Sequence, residues 1–175
     1  MTKLEGKTYW IVGASEGLGR ALAKTLDAQG LQLVLSARNS DRLNDMVVQL
    51  RSARALPMDV TDAASVAAAA EELGAIDGMI YCAGQYEPMA AHNWETGAVE
   101  AMWQVNFAGA ARVLGHVLPK FIQQNQGHIV LIGSLSGHQG LPASIGFGSS
   151  MAALMRLGDT RYSGLRNPAL MSQVV

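Results

Sequence analysis

A single cysteine, Cys82, in 175 residues excludes an intramolecular disulfide framework and any zinc site built on several thiolates. Its place at the end of an apolar run is that of a buried core residue rather than a reactive thiol. Excess charge of either sign is also missing. Thirteen Lys and Arg stand against 14 Asp and Glu, a formal net charge of −1, so the chain carries no electrostatic footprint for nucleic acid or a membrane surface. No apolar run approaches membrane-spanning length, and Met1-Thr2-Lys3-Leu4-Glu5-Gly6-Lys7 has no apolar signal core, so the expectation is a cytoplasmic protein. The four histidines, His92, His116, His128 and His138, show neither His-x-x-x-His nor Glu-x-x-His spacing, and no metal is expected.

What is present is apolar and alternating. With 49% hydrophobic residues, the chain has enough for one well-packed domain spanning 1–175. Five apolar runs, Thr8–Val12, Leu31–Ser36, Ala53–Met58, Gly78–Tyr81 and His128–Ile132, read as strands. Between and after them lie helical stretches near Gly17–Gln29, Asp41–Leu50, Asp62–Leu73, Trp94–Gln124 and Ser144–Leu157. Strands joined through helices of this length make parallel crossovers. The reading is therefore an α/β fold, a doubly wound parallel sheet covered on both faces, with ligands outside the carboxyl ends of its strands.

Those ends carry the informative residues. Val12-Gly13-Ala14-Ser15-Glu16-Gly17-Leu18-Gly19 turns the first strand into the first helix. Glycines there allow a sharp bend and a close approach to main chain, and the helix's first N–H groups face an anion such as a pyrophosphate. The spacing is not G-x-G-x-x-G, because Leu22 stands where that form wants Gly or Ala, and no Lys-Ser/Thr makes it a P-loop. Glycine used simply to turn is the plainer alternative. After the second strand, Ser36-Ala37-Arg38-Asn39 lacks the acid that grips a ribose 2′-hydroxyl. A small Ser36 and the guanidinium of Arg38 suit a 2′-phosphate instead, which favours NADP over NAD. A solvated loop arginine is the alternative for Arg38. Past the third strand comes Met58-Asp59-Val60-Thr61-Asp62, where Thr61 or Asp62 also reads as a helix cap. The fourth strand ends Tyr81-Cys82-Ala83-Gly84, and the fifth leads into Gly133-Ser134-Leu135-Ser136-Gly137. Asn106, set among apolar neighbours, needs hydrogen-bond partners if buried. Pro119 should kink or restart its helix.

Gly-x-x-x-Gly-x-Gly at Gly13, Gly17 and Gly19, followed in order by Asp59-Val60, Ala83-Gly84, Asn106 and Ser134, resembles the short-chain dehydrogenase/reductase family from Lys7 to about Leu157. The resemblance implies that Gly13, Ser15, Glu16, Gly17, Leu18 and Gly19 hold the dinucleotide. It implies that Ser36 and Arg38 meet its ribose, that Asp59 and Val60 bracket its adenine, and that Cys82, Ala83 and Gly84 lie beneath it. Glu16 argues against NADP, because many NADP-binding relatives place a basic residue in that turn. Asn106 matches the asparagine of a water-linked proton relay, and Ser134 the serine that holds the substrate carbonyl or hydroxyl. The family implies a small carbonyl or alcohol substrate. It also implies a homodimer or homotetramer paired through the helices near 94–124 and 144–157, where Gly148, Ser149, Ala152 and Ala153 would allow close approach, unless they pack within the chain.

The family's Tyr-x-x-x-Lys is replaced. In Gly146-Phe147-Gly148-Ser149-Ser150-Met151-Ala152-Ala153-Leu154, Phe147 holds the tyrosine position and Met151 the lysine position. Phe147 has no ionisable group, and Met151 supplies neither charge nor donors to a nicotinamide ribose. Loss of a positioned general acid costs about 10²–10⁴ in rate. Ser134 and Asn106 titrate nowhere near neutral pH and cannot replace it. Beyond Leu157 the sequence follows the family raggedly: Ser163, Gly164 and Pro168 suit a helix poorly, Met171–Val175 suits a sixth strand, and the family's substrate-binding segment is not found. Two readings stand: an NADP-dependent oxidoreductase inactive as written, or a non-catalytic dinucleotide-binding protein acting as sensor, scaffold or partner subunit.

Overall fold

A computed structural model describes the backbone of residues 4–164 and 170–175, and the side chains of 4–159 and 175. Its six strands are β1 (Thr8–Val12), β2 (Gln32–Ser36), β3 (Ala53–Ala55), β4 (Gly78–Tyr81), β5 (Gly127–Leu131) and β6 (Leu170–Val174). They pair in the order β3-β2-β1-β4-β5-β6, all parallel. The chain starts in the middle of the sheet, winds outward to β3, returns past β1 and winds outward to β6. This is the doubly wound arrangement, with its topological switch between β1 and β4. The helices are α1 (Gly17–Ala28), α2 (Ser40–Val47), α3 (Ala63–Glu72), α4 (Thr96–Trp103), α5 (Ala110–Gln124) and α6 (Ile145–Gly164).

Strand alternation sorts the core into two layers. Trp10, Val12, Met79, Tyr81, Ile129 and Leu131 point to one face and pack with Val66 and Ala69 of α3, Val113 and Val117 of α5, and Met151 and Leu154 of α6. Tyr9, Ile11, Leu33, Leu35 and Ile80 point to the other, against Ala23 of α1 and Leu43 and Met46 of α2. Both faces are buried, which is why these strands read as continuous apolar runs rather than alternating ones.

Two expectations need correction. The stretch after Trp94 does not restart at Pro119: α5 runs through Pro119, and the break in α-helical pattern is a π-helical segment at Gln104–Gly109 joining α4 to α5. The residue whose carbonyl meets the proline ring is Gly115, which is least constrained in adjusting its backbone. The third strand is also shorter than its apolar run, ending at Ala55 rather than Met58. Met58 instead sends its N–H to the Ala37 carbonyl beyond the end of β2. Of the two cap candidates before α3, Asp62 is the one, its Oδ1 accepting from the Ala64 N–H. Helix α6 continues through Ser163 to Gly164, while Pro168 lies outside the described residues.

Candidate active site

At the carboxyl ends of the central strands a groove of about 780 Å³ is walled by the β1–α1 turn, the β2–α2 junction, the loop after β3 and the end of β4. Its lining includes Gly13, Ser15, Glu16, Gly17, Leu18, Gly19, Arg38, Asp59, Val60, Cys82, Ala83 and Gly84. Thus twelve of the thirteen cofactor residues expected from sequence come together in one cleft.

The glycines have separate reasons. Gly13 sits at φ +89°, and a Cβ there would stand 2.4 Å from the Ala83 nitrogen, so the turn lies hard against the end of β4. A Cβ on Gly19 would stand 2.1 Å from the Gly13 carbonyl oxygen, which makes Gly19 the point where α1 packs onto the turn. Gly17, at φ +54°, meets nothing within 4 Å and leaves the groove wall open to a ligand.

The thirteenth residue, Ser36, is not part of the groove. It is fully buried, its hydroxyl accepting from Trp10 Nε1 at 2.8 Å and donating to the Leu56 carbonyl at 2.6 Å. Register explains the correction: Ser36 is in phase with Val34 on the α3 face of β2, so its side chain points down into the core. It shapes the site through its carbonyl, which accepts the N–H groups of Gly13 and Ala14.

Arg38 is exposed beside the groove, near enough to Asp59 for its charge to act on that carboxyl. Burial alone would raise the Asp59 pKa, but hydrogen bonds from the Thr61 N–H and hydroxyl, with the Arg38 charge, hold it below the usual value. At the end of β4 burial pushes the Cys82 thiol up to about 12, so it lines the cleft as a protonated, weakly polar group. Asn39, Arg42 and Gln85 also line the groove, none of them assigned a ligand-binding role by the sequence. Asn39 caps α2 by accepting from the Arg42 N–H, and Arg42 reaches back to the Glu16 carboxylate. Arg42 is the third residue of α2, and helix side chains lean toward the N-terminus, the one local signal that could have found it.

The residues matched to catalytic positions lie around the start of α6. The Asn106 side chain is fully buried and fully engaged. Its Oδ1 accepts from Gln85 N–H at 2.7 Å, and its Nδ2 donates to the Gln85 carbonyl at 3.0 Å and to Ser150 Oγ at 2.9 Å. It therefore clamps the loop after β4 to α6 from inside the π-helical segment, a distortion often found at functional sites. Ser134 is half-buried, its hydroxyl accepting from the Ser136 N–H at 3.2 Å. The ring of Phe147 packs against that of Tyr86, centroids 4.9 Å apart. Met151 is 4% exposed, within the apolar core. Gly148 is filled from within the chain: a Cβ there would lie 2.9 Å from the Ser136 carbonyl oxygen.

Among the described residues no cluster of His, Cys, Asp and Glu could hold a metal ion, and no helix is long and apolar enough to cross a membrane.

Comparison with known proteins agrees with this geometry. Residues 7–164 match the family described as short chain dehydrogenase. An uncharacterised oxidoreductase of Staphylococcus epidermidis is 33% identical over 159 residues, 88% of this chain and 69% of that protein. One from Staphylococcus aureus is 31% identical over 160 residues, with the same shares. Among solved structures, a short chain dehydrogenase/reductase from Burkholderia phymatum in complex with NAD superimposes with a TM-score of 0.93 at 26% identity, covering 99% of this chain and 66% of that one. A gluconate 5-dehydrogenase from Burkholderia cenocepacia in complex with NADP and tartrate shares the fold, with a TM-score of 0.90 at 23% identity, covering 98% of this chain and 71% of that one. Ordered motifs, a doubly wound sheet and a groove at its switch point meet in one conclusion: the chain belongs to the short chain dehydrogenase family.

Proposed function

We propose that this chain binds NADP in the groove and comes from a lineage of carbonyl or alcohol oxidoreductases, with its own acid–base machinery incomplete. The residues present fit a dinucleotide. Gly17 leaves the wall open, Gly13 and Gly19 bring bare main chain to the turn, and small Ala83 and Gly84 line the floor. Arg38 supplies the cation for a 2′-phosphate, and Asp59 with Val60 lines the same cleft for the adenine. A bound nicotinamide supplies or accepts hydride at a carbonyl or alcohol carbon. What the chain must add is a proton at the substrate oxygen and a group to hold that oxygen. Ser134 offers the hydroxyl to hold it, and Asn106 fixes the spacing between the β4 loop and α6.

The observation that carries the reading of low activity is the pair Phe147 and Met151. One is an aromatic ring packed on Tyr86 and the other a buried thioether, so neither donates a proton or lowers a neighbour's pKa. The second reading, a dinucleotide-binding protein without turnover, shares every residue and differs only in the remaining rate. Self-association through α4–α5 and α6 is part of the same proposal, and sedimentation at micromolar concentration reads it.

The test pairs binding with turnover. NADPH fluorescence titration should show saturable binding by the protein as it stands. Reduction of a panel of aldehydes and ketones should run about 10²–10⁴-fold slower than in the Phe147→Tyr/Met151→Lys variant. Equal rates in the two proteins would overturn the account of catalysis, and absence of binding would overturn the account of the groove.

A further inference from the structure

The adenosine end of the groove holds a fourth charged side chain, Arg42, beside the Glu16, Arg38 and Asp59 expected from the sequence. Arg38 and Arg42 face Glu16 and Asp59, all four lining one cleft. Glu16 and Arg42 form an ion pair that joins the β1–α1 turn to α2. Glu16 is the residue before α1, in the cap position, yet its side chain makes no capping hydrogen bond and goes to Arg42 instead. Arg42 is held on the groove side by its place in the first turn of α2, anchored through its own N–H on Asn39 Oδ1 at 2.9 Å. Both side chains of the pair are more than half exposed, at 74% and 55%, so the pair is weak and exchanges readily.

We propose that Arg42 is a specificity-determining residue: its guanidinium exchanges the Glu16 carboxylate for the 2′-phosphate of NADP, and Glu16 acts as a tethered competitor for that phosphate. The inference rests on the reading that the groove takes a dinucleotide. A carboxylate already occupies the guanidinium, so an anion is accommodated there. A phosphate monoester carries up to two charges and three acceptor oxygens, which a guanidinium fork binds better than one carboxylate. A ribose 2′-hydroxyl carries no charge to compete and leaves the pair intact. With Arg38 opposed by Asp59 and Arg42 by Glu16, the four charges sum to zero. A dianion therefore enters favourably only when Glu16 gives up its partner. Preference for NADP is thus held down by Glu16, and removing that charge should release it.

Calorimetric titration of the purified chain with NADP, NAD, 2′,5′-ADP and 5′-AMP tests this. Arg42→Ala should weaken NADP and 2′,5′-ADP about ten-fold while NAD and 5′-AMP change less than about two-fold. Glu16→Gln should tighten NADP about three-fold without effect on NAD, and most of that gain should vanish in the Glu16→Gln/Arg42→Ala double variant. Equal losses for both dinucleotides in Arg42→Ala would mark Arg42 as merely structural and overturn the inference. A selective loss of NAD in Glu16→Gln would overturn it too, assigning Glu16 to the ribose hydroxyl. If neither dinucleotide binds the unaltered protein, the reading of the groove falls along with the inference. If both bind and their ratio ignores these substitutions, the inference alone falls.

Discussion

Gly13 and Gly19 tie two consequences to one cause. Each lacks a Cβ because backbone from another segment occupies that space, Ala83 in one case and Gly13 itself in the other. Backbone cannot rotate aside as a flexible side chain can, so Gly13→Ala or Gly19→Ala should displace the turn. Each is expected to cost at least about 1–3 kcal/mol in urea unfolding and to abolish measurable dinucleotide binding. Gly17→Ala differs, because open space surrounds that site; its cost comes from positive φ alone, about 1 kcal/mol. Cys82 gives a second residue-scale expectation. With the thiol pushed up to about 12 by burial, its thiolate fraction near neutral pH is roughly 10³-fold below that of a free cysteine. Alkylation by iodoacetamide at pH 7.5 should therefore be slower than for glutathione by two orders of magnitude or more, with full reaction after denaturation.

The π-helical segment between α4 and α5 rests on the end of β4. Tyr81 is fully buried, and its hydroxyl donates to the Val105 carbonyl at 2.6 Å. A Cβ on Gly109 would lie 2.6 Å from the same oxygen, so Gly109 makes room for the hydroxyl on which the segment rests. Burial raises the Tyr81 pKa well above the usual value, the Asp59 charge adds to it, and the Arg112 charge only partly opposes it, so the group stays a donor. Tyr81→Phe should cost about 1–3 kcal/mol, since it leaves the Val105 carbonyl short of its buried partner. Asn106→Leu should cost at least as much, because Gln85 N–H, Gln85 C=O and Ser150 Oγ lose partners together. Amide hydrogen exchange should report both, with Tyr81→Phe loosening Gln104–Gly109 and Asn106→Leu also loosening the loop at Gln85.

At the scale of the whole molecule, acid stability draws on carboxylates at both ends of the sheet. Asp77 precedes β4 and accepts from Lys7 Nζ at 2.6 Å and from the Thr8 N–H at 2.9 Å. Burial would raise its pKa, but these hydrogen bonds and the Lys7 charge outweigh that and hold it below the usual carboxylate value. A carboxyl with a lowered folded-state pKa binds fewer protons folded than unfolded, so its contribution to stability is complete above the unfolded value and disappears as pH falls through the folded one. Asp59 behaves in the same way. Thermal midpoints should therefore change little on this account above about pH 5 and fall below about pH 4. Asp77→Asn should lower the midpoint at pH 7 while reducing its dependence on pH below 4.

How much of this could be read without a fold follows from the range of each interaction. The sheet and its helices were legible because parallel strands buried on both faces must be apolar throughout, and because the helices repeat their apolar residues every three to four positions. The glycine turn was legible because its conformation is a property of a few consecutive residues. What the sequence by itself determined is the architecture and the place of the groove. Tertiary structure decided the rest, and each case turns on direction or distance. Ser36 faces the core because register with Val12 sets which way β2 points its side chains. Asn106 is committed to Gln85 and Ser150, 21 and 44 residues away along the chain. The π-helical segment exists where Tyr81, from another strand, reaches Val105. Glu16 meets Arg42 across 26 residues only because β1 and β2 run side by side and end together. Local pattern is a short-range quantity, whereas the pairing of charges and the satisfaction of buried polar groups depend on which distant segments the fold brings within reach.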